Sequence, residues 1–363
     1  MNVWLVLVVL VLATVGAFMW MRMRRGAALS TANEAERLYN EGIDYRKGLG
    51  VDFDYVRARQ LFLEAAEKGH IAAQYDLGMM MRQALGGSRD DEAAFHWIER
   101  AAKSGDSRAA LEMGCCCLSG DGLEKNEQNA IFWLREASDA GNAEAQYRLA
   151  MLYRDKSSSI WNSAKAASLM AKAAEKRYPD ALFALSEMYE QGEGVVRDVK
   201  GADRWLMLAA EQGVPEAQFK LAKFYLTGAF GHAFPQDYRV AIEWFKRAGA
   251  HGIAEAQYEV GLRYERNEGV DAPDKVRAVE YFLKSAEMGY APAQYRMGQL
   301  YQYGDTVVKN LDEARRWYQA AAAQGHGDAV EFEKKLRVRD TEQPFVEPAA
   351  DTGQKTGEEE WKD

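Results

Sequence analysis

Catalysis needs nucleophiles, acids, bases or metal ligands that converge, so the three cysteines and five histidines of this 363-residue chain are weighed first. The cysteines are the adjacent Cys115, Cys116 and Cys117. Neighbouring cysteines cannot build a disulfide framework, and zinc sites usually space their ligands two to four residues apart. All three fall on a predicted helix, where small apolar side chains pack well, and are expected in the core. Without a disulfide framework, a reducing compartment is the better match. Of the histidines, His70, His251 and His326 stand at or beside turns that close a recurring segment, and His96 and His232 belong to no motif. There is no HExxH, GxSxG, Walker loop or dinucleotide fingerprint. The Gly-x-Gly pairs end helices, whereas phosphate loops open them. These readings predict no enzyme, no metal and no cofactor.

The elements that carry these residues repeat. The segment Ala-Gln-Tyr recurs around Gln74, Gln146, Gln257 and Gln294, with Gln218 in an Ala-Gln-Phe variant. Weaker copies centre on Leu38, Ala110 and Leu182. Successive anchors step by 36, 36, 36, 36, 36, 39 and 37 residues, and such regularity marks a repeat architecture. A second motif repeats in phase with Trp97, Trp133, Trp205, Trp244 and Trp317, and with Leu61, Leu169 and Tyr281 elsewhere in that column. A small residue follows four positions later, from Ala65 to Ala321, and a glycine eight positions later, with Arg177 the one departure. Gln74, Leu77, Gly78 and Met81 follow the i, i+3, i+4, i+7 stripe of a helix. A glycine there costs about 1 kcal/mol but lets a neighbouring helix approach. Glycine-rich turns stop the first helix of each unit, and Asp52, Asp90, Asn126, Asp198, Asp237, Asp274 and Asn310 are expected to cap the second. That second helix is expected to present its Trp-x-x-x-Ala face to the first. Neither helix buries its face alone, but stacked pairs do, which predicts an all-α solenoid of about eight antiparallel helix pairs over 33–328.

These residues resemble the SEL-one-like (SLR) repeat family of the tetratricopeptide-repeat superfamily. ALSEMYEQGEGV at 184–195 and WYQAAAAQG at 317–325 carry the likeness, which covers nearly 300 residues. The resemblance implies a right-handed superhelix whose first helices line a concave face, and an adaptor role. Positions one and five after each anchor would then face inward: Tyr75 and Met79, Leu111 and Cys115, Tyr147 and Met151, Phe183 and Glu187, Phe219 and Lys223, Tyr258 and Leu262, Tyr295 and Gln299. Such an aromatic row with methionines suits a peptide or helix of a partner protein, though the first of each pair could instead pack against the next repeat. Arg82, Arg154 and Arg266 could pair with acidic groups of a ligand. Repeat four lacks the glycine turn, carrying Lys156-Ser157-Ser158-Ser159. Repeat six has an enlarged loop from Gly228 to Gln236, and repeat seven an extended loop with Pro273. Longer loops are candidate contact points.

The ends differ in kind. Residues 3–21 are uncharged and long enough to span a bilayer, with Trp4 and Trp20 near the two interfaces. Arg22, Arg24 and Arg25 follow, so a single-pass anchor over 1–25 is expected, with the N-terminus outside and the body cytoplasmic at an inner membrane. The alternative is an exported, periplasmic or luminal body that binds a ligand or regulates an envelope or secretion pathway. Residues 26–32 read as a tether, 329–339 as a capping helix and 340–363 as an acidic disordered tail. The chain carries a net charge of −9, and residues 1–25 contribute +3, so the remainder carries −12. That sign repels phosphate backbones and argues against a nucleic-acid partner.

Overall fold

The computed structural model describes residues 30–229 and 231–342, with side chains through Lys334. Among the described residues the secondary structure is entirely helical, and no helix is long and apolar enough to cross a membrane. The span expected at 3–21 and most of the tail lie outside the described residues. The chain forms two compact units that divide between Gln212 and Gly213.

The first unit holds α1 (residues 30–47), α2 (Tyr55–Glu67), α3 (Ile71–Arg82), α4 (Asp91–Lys103), α5 (Ser107–Ser119), α6 (Glu127–Asp139), α7 (Ala143–Arg154), α8 (Ser163–Glu175), α9 (Pro179–Gln191) and α10 (Val199–Glu211). The second holds α11 (Pro215–Thr227), α12 (Tyr238–Ala250), α13 (Ala254–Arg266), α14 (Lys275–Glu287), α15 (Ala291–Tyr303), α16 (Leu311–Ala323) and α17 (Gly327–Glu342). Within each unit, first and second helices of a repeat pack together and each second helix packs on the next first helix. Thus α1 begins inside the stretch expected to be a tether, and α17 runs three residues into the expected tail.

Each second helix starts at a side-chain cap. The capping residues are Asp54, Asp90, Asn126, Asn162 and Asp198 in the first unit, and Asp237, Asp274 and Asn310 in the second. This corrects Asp52, which is exposed in the turn; Asp54 accepts from Arg57 N at 3.0 Å. A cap must sit within reach of the second or third helical amide, and Asp52 is two residues too early. Asn162 was missed because the turn before it lacks glycine. First helices are capped by His70, Asp106 and Asn142, and where Tyr178, Val214 or Tyr290 precedes the helix instead, a proline stands in its first turn.

The core is built on one contact. The deepest large side chain of each second helix is not the tryptophan column but the residue after it: Phe62, Ile98, Leu134, Met170, Leu206, Phe245, Phe282 and Tyr318 are all at most 2% exposed. Trp97, Trp205, Trp244 and Trp317 are half-buried at the rim. A methyl group added at Gly78 would lie 2.5 Å from Ile98 Cγ1, and at Gly114 2.7 Å from Leu134 Cγ. The glycine column therefore exists to admit this next residue. Helix geometry explains the shift, because a side chain leans over the turn N-terminal to its own Cα.

The recurring glutamine has a definite task. Gln74 Nε2 donates to Ala66 O at 3.2 Å, Gln146 to Ser138 O at 3.2 Å and Gln294 to Ala286 O at 3.1 Å. Each bond ties the start of a first helix to the end of the preceding second helix, at a terminal carbonyl that also accepts from the amide of the glycine after that helix.

Second helices end on a residue with positive φ. Gly69, Gly105, Gly141, Gly213, Gly252, Gly289 and Gly325 lie between +81° and +100°, and Arg177 holds the same place at +59°. Left-handed backbone costs a residue with a Cβ about 1–2 kcal/mol. Arg177 is exposed, so Arg177→Gly is expected to stabilise the chain by about 1 kcal/mol, measured as a raised urea midpoint at unchanged slope.

Candidate partner-binding face

The cysteines are packing residues. Cys116 and Cys117 are buried and Cys115 is half-buried. Burial pushes all three thiols up, Cys116 to about 12, so the nucleophilic thiolate is suppressed. His70 accepts from Ala73 N through Nδ1 at 3.1 Å and bonds Glu36 through Nε2 at 3.0 Å, which makes it a helix cap. Among the described residues no three His, Cys, Asp or Glu side chains gather at a common point.

The aromatic row lies on the first helices, half-buried. Three of the rings pack on the residue that opens the next repeat. Tyr147 lies 5.3 Å from Tyr178, Tyr258 5.5 Å from Tyr290 and Tyr295 4.7 Å from His326, between ring centroids. Arg108 covers Tyr75 at 4.5 Å. The inner edges reach the core, as Tyr258 does to Phe282 at 5.3 Å and Phe219 to Phe245 at 5.6 Å. The rings are seam residues first, and only their outer edges remain for a partner. Leu111 and Phe183 are half-buried in the same column.

The second column is more open. Met151 is 39% exposed, and Met79, Cys115 and Leu262 are half-buried. Lys223 is exposed, lies over Phe219 at 5.1 Å and pairs with Glu255 at 3.6 Å. Gln299 accepts from Arg296 at 3.0 Å, and Glu187 pairs with Arg154 at 3.7 Å. Tyr75 and Met79 meet in an open cavity of about 360 Å³, shared with Arg46, Tyr55, Asp76 and Leu85.

Arg82 and Arg154 do not await a ligand's acids. Arg82 pairs with Glu112 and, at 2.6 Å, with Asp121. Arg154 holds Glu193 at 2.8 Å. Arg82 belongs to a ladder that links the residue eight past one anchor to the residue two past the next. Its rungs are Arg46 with Asp76 at 3.0 Å, Arg82 with Glu112, and Glu265 with Arg296. Asp76 is 7% exposed and also accepts from the Tyr39 hydroxyl at 2.8 Å; burial and this carboxylate push that hydroxyl up to about 12. Where Leu226 interrupts the ladder, Glu259 turns to Arg263 of its own helix at 3.2 Å, and burial raises its carboxyl above the usual range. Sequence reasoning missed Arg46, Asp76, Glu112, Glu265 and Arg296. The signal was a charge reversal at spacings of 30 and 31 residues.

The loops also turn inward. In repeat six, Phe234 is 5% exposed and packs on Phe224 and Tyr225 at 5.8 and 5.4 Å; Phe230 lies outside the described residues. In repeat four, Ser158 Oγ donates to Glu127 at 2.7 Å, replacing the glycine contact made there by other repeats. The Pro273 loop lines an open polar cavity of about 470 Å³ with Arg239, Tyr264 and Arg277.

The Sel1 repeat model matches eight times, at 38–70, 71–106, 107–142, 143–178, 179–214, 215–253, 254–290 and 291–326. A Sel1 repeat protein from Oxalobacter formigenes is 30% identical, with 87% of this chain and 90% of that one covered at a TM-score of 0.65. A protective antigen of uropathogenic Escherichia coli displaying an SLR fold is 24% identical over 88% of this chain and 89% of its own, at a TM-score of 0.46. No curated protein matches. Eight contiguous repeats from 38 to 326 and a relative of this identity and coverage show that the chain belongs to the Sel1 repeat family.

Proposed function

We propose that this chain is a non-catalytic, membrane-tethered scaffold that holds a protein or peptide partner against the first-helix face of its repeats. Sel1 repeat proteins are generally protein-interaction scaffolds. The observation that carries the reading to this face is the pairing of half-buried rings with an open second column: Tyr75 with Met79, Tyr147 with Met151, Phe219 with Lys223. Rigid aromatics bury a partner's apolar side chains at low entropic cost, and flexible methionines adapt to their shape. Tethering rests on the uncharged stretch 3–21 and on Arg22, Arg24 and Arg25, which also favour a cytoplasmic body at the inner membrane.

The test is affinity capture of the full-length chain from mild-detergent membranes. The wild type is compared with a Met151→Glu, Lys223→Glu variant, chosen because both positions are exposed enough to change without unfolding a repeat. The expected result is a discrete partner whose recovery falls at least tenfold in the variant while helicity and melting temperature hold, a factor that corresponds to about 1.4 kcal/mol. Equal recovery from both proteins rejects this face as the site.

A further inference from the structure

We infer that the loop of the first repeat is a membrane-contact surface, which seats on the lipid bilayer interface and orients the repeats above it. The inference rests on the tethered reading and adds a second contact to it. Leu49, Phe53 and Val56 are 54%, 56% and 55% exposed, with Val51 at 39% beside them. The repeat itself shows that this is unusual. The position of Leu49 holds Asp121, Glu193, Glu268 and Asp305 in other repeats; that of Phe53 holds Arg89, Lys125, Arg197 and Lys309; that of Val56 holds Glu92, Lys200, Arg239 and Asp312. Elsewhere these columns hold a large apolar residue only singly, at Leu85, Trp161 and Val276, and the first repeat alone places one in all three, within eight residues.

The same loop lacks the neighbour that its counterparts have. A Cβ added at Gly86 or Gly194 would meet the backbone of Tyr55 or Ser163, at the start of the preceding second helix, whereas at Gly50 it meets nothing within 4 Å among the described residues. Among the described residues no repeat precedes it. What does precede it is the apolar stretch 3–21, only eight residues before α1. Eight residues reach at most about 28 Å, and the eighteen residues of α1 rise about 27 Å. The loop end of α1 therefore lies within reach of the surface where the stretch leaves the bilayer. Exposed Lys47 and Arg57 flank the patch, with the acids Asp52 and Asp54 between them, the latter engaged as a helix cap. An aromatic and aliphatic patch with basic flanks is the composition of an interfacial anchor.

Hydrogen–deuterium exchange on the full chain in nanodiscs of phosphatidylcholine with one-quarter phosphatidylglycerol tests this, with the repeat-five turn at 192–197 as internal reference. The expected result is at least tenfold slower exchange at 48–53 than at 192–197, abolished by Phe53→Asp with Val56→Asp while total helicity is kept. Equal exchange of the two turns in bilayer-embedded protein overturns the inference. So does protection that persists in detergent micelles and grows with protein concentration, which assigns the patch to a second copy. A chain that fails to enter nanodiscs overturns the tethering reading instead, so the two failures are distinct.

Discussion

Gly194→Ala is expected to destabilise the first unit by about 3 kcal/mol or more, far beyond the usual cost of a turn substitution. Two terms act together. Gly194 has φ +69°, which costs a residue with a Cβ about 1–2 kcal/mol. The new Cβ would also stand 2.1 Å from Ser163 O and 2.4 Å from Ser163 C, at the start of α8. These are backbone atoms, so no rotamer relieves the overlap and the turn must lift from the preceding repeat. Overpacking of that kind costs a further 1–3 kcal/mol, roughly. Gly50→Ala separates the terms, since Gly50 has φ +74° with nothing within 4 Å. It is expected to cost only the conformational part. Urea unfolding followed by circular dichroism measures both. If the two variants lose the same stability, the turn is not what joins one repeat to the next.

This contact also shows how far the sequence could be read. A period of 36 residues, the glycine stripe and the Trp-x-x-x-Ala column were sufficient for the helix pairs, because one-dimensional stacking makes each unit report the same packing problem. Register to within one or two residues was not read correctly. The tryptophan column drew attention by its size, yet Phe62 and its counterparts take the central place because they lean back over the glycine. The reading of Asp52 as the first cap overlooks that Asp54 is the residue that stands 36 before Asp90, in phase with Asp90 and Asn126. The candidate face was legible as a column of residues but not as a division of labour. Whether Tyr147 serves the seam or a partner depends on where Tyr178 lies, and that is a relation between repeats. The ion-pair ladder was hidden for the same reason, since Arg46 and Asp76 look like two solvated charges until the repeats are stacked.

The largest single-residue loss is expected at Phe282, where truncation to alanine should cost about 3–5 kcal/mol. Phe282 is 1% exposed, lies at the centre of the second unit's core and touches Tyr258. Its removal leaves a hole opposite Gly261, whose added Cβ would lie 2.6 Å from Phe282 Cδ1 and Cε1. The two positions are halves of one contact, so their energies should not add. Gly261→Ala alone forces the ring and α13 apart, an overpacking cost of roughly 1–3 kcal/mol. In the double variant the clash with the ring disappears, leaving only the close approach to Ala278 O at 3.1 Å, and the new methyl fills part of the hole. The pair should therefore be less destabilised than the sum of the singles by at least about 1 kcal/mol. The cycle is read from denaturant midpoints of the four proteins. Additive losses would mean that Gly261 is needed for backbone freedom rather than for helix approach. Its ordinary helical φ speaks against that, since Gly261 is absent from the positive-φ glycines that stop the helices. A repeat that spends a glycine inside a helix, at a propensity cost of about 1 kcal/mol, does so because the aromatic ring it admits returns several times that amount in burial.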